Sequence, residues 1–114
     1  MAKLKLIGLV EPVHASAPKA FEEWYLGNHI EGISHAPGVV CATAHRLIKP
    51  YKEEDPPQYV TIYEFNTEEV GEAEETLRTY QNHPTWPGSR PSNDSVRILS
   101  AGWYLVDRSF SSTD

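Results

Sequence analysis

The chain has 114 residues, a formal charge of -6, and 39% hydrophobic and 11% aromatic residues. That length bounds one domain, residues 1–114, with a real but small core, so association with a second copy is expected. An acidic chain whose ten basic residues are scattered is a poor partner for nucleic acid or an anionic membrane surface. The lone Cys41 excludes an internal disulfide and a Cys-rich metal site. No apolar run reaches the length of a membrane span and no secretory signal pattern opens the chain, so a cytoplasmic protein is expected.

Lys3 to Val10 is rich in Leu, Ile and Val and reads as a first strand ended by Glu11-Pro12. Gly8, without a side chain, leaves room there for a ligand or a neighbouring aromatic. His14 to Pro18 leads into a helix with Ser16 as N-cap and Pro18 in its first turn. This helix runs to about Gly32 or Ile33 and stops before Pro37-Gly38. Phe21, Tyr25 and His29 lie four apart and stack along one face. His29 thus ends an aromatic stripe. An imidazole in that setting is a candidate proton-transfer group, with a hydrogen-bonded structural histidine as the plainer alternative.

Val39 to Ile48 reads as a second strand, with Val39, Cys41, Thr43, His45 and Leu47 on one face. The prolines and charges of Lys49 to Gln58 form a solvated hairpin loop. Tyr59 to Phe65 is a third strand carrying Tyr59, Thr61, Tyr63 and Phe65 on one face. Asn66 or Thr67 caps a second helix, with Glu69 placed to close a capping box on Asn66. Val70, Ala73, Leu77 and Tyr80 form its buried stripe. Gln81 to Val96 is a long, Pro-rich loop holding His83 and Trp86, and loops of that length are often functional. Arg97 to Val106 is the last strand, followed by a polar tail.

The order strand, helix, strand, strand, helix, strand is the α+β, ferredoxin-like βαββαβ plan, a four-stranded antiparallel sheet with both helices on one face. The strands are apolar on both faces, so the uncovered face is expected to pair with a second sheet in a two-fold homodimer.

Trp24-Tyr25 followed by His29, Pro37-Gly38 leading into a strand, Pro57-Gln58-Tyr59 opening another, and the aromatic last strand Gly102-Trp103-Tyr104 resemble the dimeric α/β-barrel superfamily and, within it, EthD-like proteins. The resemblance spans Lys3 to Arg108. It implies a cavity between sheet and helices that takes oxygenated, often aromatic or polyketide-like molecules without an organic cofactor. His29 matches the helix-1 histidine of the group. Asn82-His83-Pro84 resembles the His-Pro after the second helix of plant-type polyketide cyclases, although Trp86 stands roughly where a second histidine is usual there.

The leading expectation is a cofactor-independent lyase or isomerase that eliminates, decarboxylates or cyclises. His29 is its acid or base, and Tyr25, Tyr63 or His83 polarises a substrate oxygen. Trp24, Trp86 and Trp103 are candidate walls for a flat apolar ligand, with core packing as their alternative. His45, beside Thr43, is a candidate anchor for an acidic substrate group, whereas Arg46 reads as a dimer or surface contact. Cys41 reads as a small buried residue. A cofactor-free monooxygenase and a non-catalytic binding or accessory protein are the alternatives. No metal is expected, because His29, Glu31 and His35 do not have a recognised ligand spacing, and no haem motif appears.

Overall fold

The computed structural model describes residues 4–13, 19, 21–52, 58–81 and 96–110, with residues 24, 28 and 81 described by backbone alone. The strands are β1 (Lys5–Pro12), β2 (Val39–Arg46), β3 (Tyr59–Phe65) and β4 (Val96–Tyr104). The first helix, α1, is wound as a π-helix over Phe21–His29 and continues as an α-helix over Ile30–Ser34, and α2 spans Val70–Gln81. The strands form one antiparallel sheet in the order β2-β3-β1-β4. This is the ferredoxin-like α+β arrangement.

Cross-strand pairing sorts the side chains by face. Leu6, Gly8 and Val10 stand opposite Tyr63, Thr61 and Tyr59, and this inner face meets the helices. Leu4, Val10, Phe21, Tyr25, Ile30, Ile33, Tyr63, Phe65 and Leu77 are buried between the two layers. Each large apolar side chain so buried contributes roughly 1.5–3 kcal/mol relative to leaving it in water. Ile7, Leu9, Val60 and Ile62 are cross-strand neighbours on the outer face, where they are half-buried.

Two bulges adjust the alternation. In β2 the register shifts between Val39 and Cys41, so Val39 faces Phe65 and packs against the core while Val40 is half exposed. Cys41, Thr43 and His45 then fall on the outer face of this edge strand, so Cys41 is exposed, not buried as its small apolar character suggests. A second shift, between Leu9 and Val10, brings Ile98 opposite Val10.

Glu11-Pro12 does not end β1. Beyond Val10 the strand keeps only β4, pairing Glu11 with Arg97 and Pro12 with Val96, and a missing donor is tolerated where one neighbour remains. Gly38, at φ 87°, turns the chain from α1 into β2 in a conformation open to glycine. The N–H of Asn66 donates to the Gly38 carbonyl at 2.9 Å. The expected Asn66 capping box therefore does not form, and Thr67, two residues ahead of the Glu69 carbonyl that opens the helix, makes a turn in which its Oγ1 accepts from the Glu69 N–H at 3.1 Å. Val70, expected in the buried stripe, is 37% exposed at the first turn. Ser16 and Pro18, the expected start of α1, lie outside the described residues.

A candidate active site between sheet and helices

The aromatic stripe of α1 forms one wall of a cavity. Phe21 stacks on Tyr25 with ring centroids 5.3 Å apart and planes at 20°, and Tyr25 stacks on His29 at 5.3 Å and 24°. The π winding spans this stack, and such winding is frequent at functional sites. At Gly27 it brings the Glu22 carbonyl, five residues back, so close that a Cβ would stand 3.3 Å from it.

The cavity has a volume of about 170 Å³. Tyr25, His29 and Ile33 of α1, Leu77 of α2, Thr61 and Tyr63 of β3, and Gly8 of β1 all line it, and Ile98 of β4, 63% exposed, stands at its edge. Gly8 is needed at the floor: a Cβ there would lie 3.2 Å from Thr61 Oγ1. The polar groups gather on one side. Tyr25 Oη and Thr61 Oγ1 are 3.4 Å apart, a long hydrogen bond in which either hydroxyl can donate. His29 Nδ1 is shielded from solvent.

Tyr63 is 4% exposed, and its hydroxyl lies near Tyr25 and Thr61 without a well-formed hydrogen bond among the described residues. Burial, and next the nearby Tyr25, push its phenol well above the ordinary tyrosine value of 10.0. It therefore remains a proton donor wherever the protein is folded under ordinary conditions. A group whose pKa rises on folding stabilises the fold fully below its unfolded value and loses that contribution as pH climbs through the folded one. Stability is expected to fall above about pH 10. Urea midpoints measured from pH 8 to 11 should fall more steeply for the wild type than for Tyr63→Phe, and parallel curves would contradict this.

The structure thus brings three expected site residues together: Tyr25, His29 and Tyr63. It places two others elsewhere. Trp103 packs on Phe65, with ring centroids 5.3 Å apart, and its Nε1–H donates to Glu74 Oε2 of α2 at 3.2 Å, so it is a core residue and does not line the cavity. His45 is on the outer sheet face, with Nε2 hydrogen-bonded to Thr43 Oγ1 at 2.9 Å, and borders a separate groove of about 450 Å³ with Arg46 and Lys49. His83, Trp86 and the side chain of Trp24 lie outside the described residues. Thr61 was not singled out by sequence reasoning. Its signal is one hydroxyl in the otherwise aromatic row Tyr59, Tyr63, Phe65 of a single strand face. Among the described residues, no three His, Cys, Asp or Glu side chains are grouped to hold a metal.

Fold and site together define a ferredoxin-like α+β protein with a mainly apolar cavity between sheet and helices that carries polar groups on one side. The same fold occurs in the crystal structure of HapK from Hahella chejuensis, which matches at a TM-score of 0.52 and 12% sequence identity over 96% of this chain and 99% of that one. At this identity the likeness concerns the fold. No family model matches the chain, and no curated protein matches its sequence. Among the described residues, no helix is long and apolar enough to cross a membrane.

Proposed function

We propose that the protein is a cofactor-independent lyase or isomerase of the dimeric α/β-barrel, EthD-like type, acting on an apolar oxygenated aromatic or polyketide-like substrate. The observation that carries this reading is the Tyr63 hydroxyl, buried on the cavity wall and held in its protonated form. Among the described residues this buried donor has only the nearby Tyr25 and Thr61 and no well-formed hydrogen bond, which favours a ligand oxygen. Elimination, cyclisation and decarboxylation of such substrates share an enolate. The Tyr63 O–H donates to the oxygen on which that charge develops. His29 removes or returns the proton on the adjacent carbon, since imidazole titrates near neutrality. Tyr25 holds the His29 ring by stacking and meets Thr61 on its other side.

Incubation with hydroxylated aromatics and polyketide-like keto acids, followed by mass spectrometry, tests this reading. A product differing by loss of water or carbon dioxide, or an isomer resolved by chromatography, is expected. Its kcat should fall about 10²–10³-fold in Tyr63→Phe, the usual effect of deleting one such donor. Turnover unchanged in that variant would refute the role of Tyr63.

The dimer belongs to the same proposal. The apolar outer face of Ile7, Leu9, Val60 and Ile62 is a surface that a second copy related by a two-fold can cover with the same face. Sedimentation velocity should show a dimer for the wild type and a monomer for Ile62→Glu, whose carboxylate would be desolvated in the interface. A monomeric wild type would refute this pairing.

A further inference from the structure

Resting on the reading of this cavity as the substrate site, we infer that its ligand is a neutral molecule with a single ring, held through one oxygen acceptor, which narrows the chemistry proposed above to elimination or cyclisation. Size is the first reason. A cavity of about 150 Å³ lined by aliphatic and aromatic side chains accommodates one benzene ring. The cavity here is about 170 Å³. The bare Gly8 at its floor is part of that space, since a methyl group there would stand 3.2 Å from Thr61 Oγ1. A fused two-ring skeleton is contained in that volume only by displacing packed side chains such as Ile33 and Leu77, which are 3% and 9% exposed.

Charge is the second reason. Among the described residues, no lysine or arginine lines the cavity. A carboxylate entering it would lose its hydration and would have to take His29 as counterion, occupying the group that moves the proton. The cationic residues of this part of the sheet, Arg46 and Lys49, border the separate groove by β2. The third reason is the placement of polar groups. Tyr25, Thr61 and Tyr63 offer hydroxyls on one side, while Leu6, Val10, Ile33 and Leu77 line the cavity with aliphatic groups. One end of the ligand carries an oxygen, and the other is hydrocarbon.

Titration calorimetry with three probes that share an acetyl group tests each element: acetophenone, 2-acetonaphthone and 4-acetylbenzoate. Acetophenone should bind the wild type. It should bind about tenfold more weakly to Tyr63→Phe, the scale of one net hydrogen bond. The two-ring and charged probes should each bind the wild type at least about tenfold more weakly than acetophenone, through overpacking and desolvation respectively.

Equal binding of acetophenone and 2-acetonaphthone to the wild type, both weakened by Tyr63→Phe, would overturn the one-ring limit while leaving the site reading standing. Preferential binding of 4-acetylbenzoate would overturn neutrality in the same way. Acetophenone binding that is absent, or indifferent to Tyr63→Phe, would remove the site reading and this inference with it.

Discussion

Replacing His29 by Gln is expected to lower kcat by about 10²–10⁴-fold, the span of a positioned general acid or base. Gln keeps hydrogen-bonding capacity but cannot titrate, so the loss reports proton transfer. The ring is half-buried and stacks on Tyr25, so part of any effect could come from a displaced Tyr25. The two causes separate by rescue. In His29→Ala, added imidazole should restore a measurable part of the rate, with a dependence on pH that follows free imidazole. Binding of a ligand analogue should change much less than turnover, because His29 acts on the reacting carbon and Tyr63 on the oxygen. Full turnover in His29→Gln would eliminate acid–base catalysis by this residue and favour a protein that binds its ligand without changing it.

The largest effect on stability is expected from Phe21→Ala. Phe21 is 1% exposed, stacks on Tyr25, and meets Tyr59 with ring centroids 5.0 Å apart and planes at 46°. It therefore ties α1 to β3. Deleting such a ring costs about 3–5 kcal/mol, because the transfer energy is lost and the gap does not fully close. Against a total stability of roughly 5–15 kcal/mol, that is a large share. The melting temperature should fall by on the order of 15 °C, read by circular dichroism at 222 nm. Tyr51→Ala is the matched control: the side chain is fully exposed, at 102%, and its removal should lie within about 0.5 kcal/mol of neutral. Comparable losses in the two variants would mean that Phe21 does not anchor α1 to the sheet.

Much of the fold is legible in local spacing. The positions four apart in α1 foretell the Phe21–Tyr25–His29 stack. Spacing of four does not distinguish π winding from α, and only the structure reports the wider turn. The alternation Tyr59, Thr61, Tyr63, Phe65 foretells a strand with one buried face, and three of these four are buried. Gly8 was legible as a place of close approach, and Thr61 Oγ1 is the atom that approaches. The unanticipated features are non-local. Whether Trp103 faces a ligand or a helix depends on Glu74, 29 residues earlier in the chain. Whether His45 and Tyr63 share a face depends on register, which sets His45 beside Val60 and Tyr63 beside Ala42. A one-residue bulge after Val39 reverses what strict alternation assigns to that end of β2.

The sequence by itself determined the order of elements and the identity of the aromatic stripe. Apolar periodicity and turn residues act over a few positions, and burial rewards the matching backbone wherever the segment ends up. Tertiary structure alone decided which groups meet at the cavity, that Thr61 joins Tyr25 and Tyr63 there, that Trp103 belongs to the core, and that the Tyr63 phenol is held protonated. Those outcomes depend on strand register, bulges and desolvation. Each is a property of residues far apart in the chain brought within a few ångströms, and no local pattern encodes it.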